Sequence, residues 1–193
     1  MTTRIRRGFA VASLAALVAV PGLVAASPAA HADSRACHGT ISKRTVKADL
    51  VVRKGQVCTI TASTIDGDVK VAAGGTLRMT TTRVDGNIQG TGHTSVVVTR
   101  SRIDGDIQLE GGRSSYVRSN VVDGNIQLKT NRAGTHVSAN RVDGDIQLFS
   151  NRGASHVATN RVDGNLQCKS NRFGVKGGKN VVKGNKEDQC RRL

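Results

Sequence analysis

One phrase returns along the chain at a fixed interval: Ile65-Asp66-Gly67-Asp68-Val69, Val84-Asp85-Gly86-Asn87-Ile88, Ile103-Asp104-Gly105-Asp106-Ile107 and Val122-Asp123-Gly124-Asn125-Ile126. It continues through Val142-Asp143-Gly144-Asp145-Ile146 and Val162-Asp163-Gly164-Asn165-Leu166, with a period of 19 and then 20 residues. Degraded copies, Val46-Lys47-Ala48-Asp49-Leu50 and Val182-Lys183-Gly184-Asn185-Lys186, carry the register towards both ends. A chain of this kind stacks units that bury their apolar faces only against one another, and atypical terminal copies close the stack.

Within a copy the apolar residues alternate, as in Val142, Gly144, Ile146 and Leu148, while Arg141, Asp143, Asp145 and Gln147 take the other parity. That pattern predicts a strand with one buried face. A second segment alternates again, with Leu77 and Met79, Val96 and Val98, and single valines at Val117, Val137 and Val157. Two or three short strands per turn follow. The interval is too short for a propeller blade, and neither the leucine-rich pattern nor the hexapeptide rhythm of a left-handed coil is present. The expected fold class is all-β: a single-stranded right-handed parallel β-helix of about 7–8 coils, stacked roughly 4.8 Å apart. Stacking sets like above like. Val71, Gly90, Leu109, Leu128, Leu148 and Cys168 form an inward packing column. Asn120, Asn140, Asn160 and Asn180, with Asn131, Asn151 and Asn171, read as turn amide ladders that tolerate left-handed conformations.

The first 32 residues have a different logic. Arg4, Arg6 and Arg7 precede an apolar stretch from Phe9 to Ala26, and Ala30-His31-Ala32 supplies small residues ahead of Asp33. This is the pattern of a signal peptide cut after Ala32. Arg6-Arg7-Gly8-Phe9 is similar to a twin-arginine export signal, although Ile5 stands where Ser or Thr is usual, so the export route stays open. The expected organisation is a signal peptide over 1–32 and one β-helix domain over 33–193. Within it, 33–63 is the N-terminal cap and first coil, 64–180 the regular coils and 181–193 the C-terminal cap. No Cys follows the apolar stretch to take a lipid and the C-terminal residues carry no hydrophobic tail. A secreted, extracellular or loosely wall-associated monomer is expected, with no membrane span after cleavage.

The chain has 29 lysines and arginines, three of them in the first 32 residues, against 14 acids, so the mature part carries an excess of 12 positive charges. Such a charge favours anionic partners, here an acidic polysaccharide or wall polymer rather than a specific nucleic acid. The candidate contacts are Arg132, Arg152, Arg172, Lys176 and Arg118, with Arg100, Arg113 and Lys179 beside them, and Arg132, Arg152 and Arg172 form the best stripe.

Four cysteines sit near the ends, Cys37 and Cys58 around the first coil and Cys168 and Cys190 around the last. In an exported chain they imply two bridges. Cys58 and Cys168 lie six coils apart, roughly 29 Å at the strand spacing, which a disulfide cannot span. Cys37 with Cys58, and Cys168 with Cys190, is the remaining connectivity, and each bridge pins a cap over an open end.

Other columns suggest chemistry and also have plainer readings. Asp66, Asp85, Asp104, Asp123, Asp143 and Asp163 stack carboxylates that could hold Ca²⁺, with Asp104, Asp123, Asp143 and Asp163 as the candidates. Arg83, Arg102, Arg141 and Arg161 lie two residues earlier on the same face and could neutralise them without metal. Asp68, Asn87, Asp106, Asn125, Asp145 and Asn165 alternate charged and neutral forms of one shape, keeping charges roughly 9.6 Å apart, about one Debye length. Gln89, Gln108, Gln127, Gln147 and Gln167 suggest a flat amide ladder, and Tyr116, His136 and His156 stack beside Lys176 as surface polar residues. No metal or organic cofactor is expected. Nucleophile-elbow, zinc-protease and phosphate-loop motifs are absent. Coils without insertions leave no cleft wall, and so few aromatics leave no sugar-stacking platform, which argues against enzymatic activity. A pectate-lyase-like polysaccharide-active enzyme is the alternative.

The ending Gly164-Asn165-Leu166-Gln167-Cys168 and Gly184-Asn185-Lys186-Glu187-Asp188-Gln189-Cys190 resembles that of a group of small secreted actinobacterial proteins of unknown function. The resemblance covers most of residues 37–193. It implies export and a β-helix and brings no catalytic residues. A looser similarity to bactofilins, cytoplasmic β-helices that form polymers, rests on the V-x-G-D-I phrase alone. The expected function is that of a non-catalytic structural or binding protein of the cell envelope.

Overall fold

The computed structural model describes residues 33–193, and the expected signal peptide lies outside the described residues. The repeated alternation winds the chain into three parallel sheets. Sheet 1 has nine strands, from Ser34–Ala36 to Lys186–Asp188. Sheet 2 has eight strands, from Gly39–Ser42 to Val175–Gly178, and sheet 3 has eight two-residue strands, from Thr45–Val46 to Val181–Val182. The chain visits the sheets in turn, so each coil gives one strand to each, and about eight coils form a parallel β-helix. Its register is the sequence period: Ile88 pairs with Ile107, Ile107 with Ile126 and Ile126 with Ile146. The degraded copies keep it, Val46 beside Ile65 and Val162 beside Val182.

The interior is a set of apolar columns. Val71, Leu109, Leu128, Leu148 and Cys168 are buried one above another, as their spacing predicts. Each fully buried leucine or isoleucine contributes about 1.5–3 kcal/mol of transfer free energy. Gly90 breaks this column because the buried ring of His93 takes its space. A Cβ at Gly90 would stand 3.0 Å from His93 Nδ1 and 2.9 Å from Leu109 Cδ2, and one at Gly112 would run into the imidazole itself. Two glycines a coil apart therefore make room for one histidine. Its Nε2 is hydrogen-bonded to Ser115 Oγ at 3.0 Å, and burial pushes its pKa below the ordinary value.

Each of the three turns is threaded by a ladder of side-chain amides, hydroxyls or carboxylates. Between sheets 1 and 2, Asn151 Oδ1 accepts the backbone N–H of Asn131 at 3.0 Å and its Nδ2 at 3.1 Å. Asn151 Nδ2 donates to the Leu128 carbonyl at 2.9 Å and to Asn171 Oδ1 at 2.9 Å. The ladder ends on Gln189, which accepts both donors of Asn171. Between sheets 2 and 3, the same bonding runs through Asn120, Asn140, Asn160 and Asn180, and the earlier coils use the hydroxyls of Ser63 and Ser101 instead. The residue before each asparagine, and not the asparagine itself, is left-handed, as at Thr130 (φ 54°), Ser150 (φ 55°) and Ala139 (φ 54°). The reason is geometric. A left-handed residue bends the path inward, so the next side chain lands inside, where only a fully bonded amide is tolerated.

The repeated phrase itself is a corner. Val142 ends a strand of sheet 3 and Ile146 opens one of sheet 1, so Gly144 is not the inward strand position that the alternation suggests. A Cβ at Gly144 would sit 2.5 Å from Asn125 Oδ1 and 2.8 Å from the Gly124 carbonyl oxygen, which is why every regular copy has glycine there. The alternating Asp and Asn column beside it has a further reason besides charge spacing. Each side-chain oxygen accepts the backbone N–H of the next coil, as Asp106 Oδ1 does from Asn125 at 2.7 Å and Asn125 Oδ1 does from Asp145 at 2.8 Å. Asn125 Nδ2 also donates to Asp106 at 3.1 Å, so alternation places a donor beside each carboxylate. Where two carboxylates are adjacent, at Asp49 and Asp68, Lys70 replaces the glutamine of its column and reaches them at 2.7 and 3.5 Å. The glutamine ladder forms only towards the C-terminal end, where Gln147 donates to Gln167 and Gln167 to Glu187. Gln108 turns instead to Asp106 of its own coil.

The two disulfides join Cys37 to Cys58 and Cys168 to Cys190, with Cα atoms 5.5 and 5.2 Å apart, the pairing the repeat predicts.

Asn151→Ala leaves the backbone N–H of Asn131 and one N–H of its side-chain amide buried without a partner, and takes a donor from the Leu128 carbonyl. It should lower stability by about 3 kcal/mol or more, against less than about 0.5 kcal/mol for Gln127→Ala, compared by urea midpoints. Lys70→Gln removes the cation between two carboxylates. Because Lys70 is 43 % exposed, the loss is about 1 kcal/mol or less at pH 7. The bond to Lys70 holds the Asp49 pKa below its ordinary 3.8. Its contribution is therefore present above that value and is lost as pH falls through the folded pKa, so the difference between the two melting temperatures should narrow as pH falls below 3.8.

Candidate anion-binding face

Charge is sorted by face. Sheet 2 and its two flanking turns carry Lys43, Arg44, Arg53, Lys54, Arg78, Arg100, Arg113, Arg118, Arg132, Arg152, Arg172, Lys176 and Lys179. They carry no aspartate or glutamate. All 14 acids lie on sheet 1 or in the segments that lead into it, among the other 13 cations of the described residues. The excess charge is thus confined to one side, and the remaining surface is close to neutral. The sign of each phase of the repeat contained this signal. It emerges only when acids are counted by position in the coil.

The candidate residues fall into three rows on that face. Arg113, Arg132, Arg152 and Arg172 stack in the turn from sheet 1 to sheet 2. Their backbone N–H groups donate to His93, Gly112, Asn131 and Asn151, so the asparagine ladder fixes the row from beneath. All four side chains are exposed, and no carboxylate pairs with them among the described residues. Lys176 and Arg118 belong to sheet 2 itself. Lys176 continues the column of Tyr116, His136 and His156, and Arg118 donates to the Tyr116 hydroxyl at 3.3 Å. Arg100 and Lys179 occupy left-handed positions on the opposite rim, at φ 47° and 58°. The structure therefore joins Arg132, Arg152 and Arg172 into one stripe with Arg113, and sets Lys176 and Arg118 across the sheet from it.

Tyr116, His136 and His156 stack ring on ring, with centroids 4.8 and 4.7 Å apart and planes within 14°. Their faces cover one another and their edges point outward. His136 Nε2 is hydrogen-bonded to Ser138 Oγ at 2.9 Å. Burial, with His156 and Arg118 nearby, holds its pKa below the ordinary imidazole value.

Between the ring column and the arginine row runs a column of small residues, Ser114, Gly134, Ala154 and Gly174. The result is a shallow trough of about 440 Å³. It continues past Ala154 to Phe173, which is 63 % exposed and carries the Arg172 guanidinium 5.4 Å from its ring centroid. Coils of nearly equal length were expected to leave no cleft wall. The relief here comes from side-chain size, since a column of glycine, alanine and serine sinks beside the column of Tyr116, His136, His156 and Lys176. The expectation of no sugar-stacking platform holds for the stacked rings, whose faces are taken, and Phe173 is the exposed exception.

The aspartate column has partners of its own. Arg83 bonds Asp85 at 2.6 Å and Asp104 at 2.5 Å, Arg102 bonds Asp104 at 3.0 Å and Asp123 at 2.5 Å, and Arg141 reaches Asp143 at 3.3 Å. Lys183 closes the column on Asp163 at 2.8 Å and holds that carboxyl below the usual range. Each guanidinium thus bridges its own coil to the next, in the positions where Ca²⁺ would need free oxygens. The melting temperature should not move by more than about 2 °C on adding millimolar Ca²⁺ or a chelator, because only a ligand that binds the folded state shifts it.

The fold and this face define a class: a disulfide-pinned, single-stranded parallel β-helix with one basic side. The chain belongs to the Toastrack DUF4097 family, whose model matches residues 32–186. The family is one of unknown function. No curated protein and no solved structure gives a significant match.

Proposed function

We propose that this is a non-catalytic, exported protein of the cell envelope that binds anionic polymers along the sheet 2 face. The observation that carries the reading is the sorting of charge, thirteen cations and no acid on one side of the rod. A row of exposed guanidinium groups one coil apart repels itself, and no carboxylate among the described residues relieves it. An extended polyanion would, with a planar, bidentate donor offered at each step. Two disulfides and the leader pattern of residues 1–32 support an oxidising, extracellular location. The lack of any carboxylate on this face supports binding over glycoside hydrolysis, which uses a pair of them.

The test is retention of the full chain on heparin and on wall polymer as salt rises. Affinity should fall about tenfold between 50 and 150 mM salt, since exposed charges are screened over that range. Arg132→Gln/Arg152→Gln/Arg172→Gln should weaken binding about tenfold further at low salt with an unchanged melting temperature. Binding that ignores salt would sink the reading. Release of unsaturated sugars from acidic glycans would establish the lyase alternative in its place.

A further inference from the structure

The trough is more specific than the charge around it. Its wall is the ring stack of Tyr116, His136 and His156 with Lys176 at the end, its floor is small and largely apolar, with Gly134 and Ala154 at the centre, and the guanidinium row lies in the turn that leads into that floor. We propose, resting on the reading above, that this trough holds one strand of a linear, carboxylate-bearing polysaccharide. We further propose that His136 takes up a proton when it is filled.

Three features select this ligand class among polyanions. A single-stranded nucleic acid would need exposed aromatic faces on which successive bases stack. Tyr116, His136 and His156 have spent theirs on one another. Ring edges instead present N–H and O–H groups of the kind that bond sugar hydroxyls, and a narrow apolar floor suits the faces of sugar rings. The spacing also fits. Coils rise about 4.8 Å each, so the arginine row offers one guanidinium per step. A uronan presents one carboxylate per sugar, and its sugars are about as long as a coil is tall.

The proton follows from what surrounds the imidazoles. Facing His136 are Tyr116 and Arg118 from one neighbouring strand and His156 from the other, with Lys176 one coil further on. Every charged group among these is a cation. In the free protein burial, His156 and Arg118 hold the His136 pKa below its ordinary value and favour its neutral ring. A carboxylate chain laid along the trough reverses the sign of the local field and raises the His136 value. Affinity then rises as pH falls through the imidazole range, below about 6.5.

The experiment is calorimetry of the full chain with oligogalacturonate at pH 5.5 and 7.5, in two buffers of different ionisation enthalpy. Expected are binding at least threefold tighter at pH 5.5 and net proton uptake. His136→Gln should abolish both the proton uptake and the tightening at pH 5.5. Gly134→Leu fills the floor and is sterically tolerated, since the nearest atom to a Cβ there is 3.9 Å away. It should weaken binding at least tenfold with an unchanged melting temperature. Full affinity in Gly134→Leu, absence of proton uptake, or equal competition by polyphosphate or an oligonucleotide would each overturn the inference. If binding persists through these but is lost in the triple arginine variant, the trough is wrong and the basic face stands. If no polyanion binds at low salt, both fall.

Discussion

Every coil of this rod depends on the coil beside it for the backbone bonds of its turns. Strands alone satisfy only part of the main chain, and three sharp corners per coil would leave buried N–H and carbonyl groups without partners. The solution is a side-chain ladder at each corner, two of asparagine and hydroxyl and one of alternating aspartate and asparagine. A ladder works only if the same residue type recurs at the same height in each coil. The strictness of the repeat is therefore a consequence of hydrogen bonding in the turns, more than of packing in the core, where valine, leucine, isoleucine and methionine interchange.

Stacking like on like creates the opposite difficulty at the surface, because any charged position becomes a charged column. The chain relieves this in three ways on sheets 1 and 3. Arginine rows bridge aspartate rows between coils, aspartate alternates with asparagine, and Lys70 sits between the one adjacent carboxylate pair of the corner column. On sheet 2 none of these devices is used. Uncompensated repulsion of about 1 kcal/mol per neighbouring pair in a water-like medium is carried by Arg113, Arg132, Arg152 and Arg172. The charge columns are thus compensated on two sides of the rod and left uncompensated on the third.

The same face combines features that arise from one turn. The left-handed residue and asparagine of the sheet 1 to sheet 2 corner aim the following arginine outward and set small residues two positions later, before the ring column begins. Row, floor and wall are thus successive positions of a single repeated segment. Their geometry is inherited from the ladder, so a ligand would meet a pre-formed surface without the cost of ordering loops.

The period, the inward columns, the disulfide pairing and the asparagine ladders were legible in the sequence because stacking turns residue spacing directly into adjacency. The alternation of Val142, Gly144, Ile146 and Leu148 misled about the strand because a corner and a strand share that pattern. Only the close approach of Gly144 to Asn125 separates them. Gly90 and Gly112 were opaque for a similar reason, since each is explained by His93 in the space above or below, and no single repeat contains that contact. The basic stripe of Arg132, Arg152 and Arg172 could be predicted from sequence. That it stands alone, with every acid on the far side, and that a trough lies beside it, depended on which way each corner turns its side chains. Sequence spacing determines what stacks on what, and tertiary structure decides which face each column occupies, because the direction of a side chain at a corner is set by the left-handed residue before it and the coil beneath it.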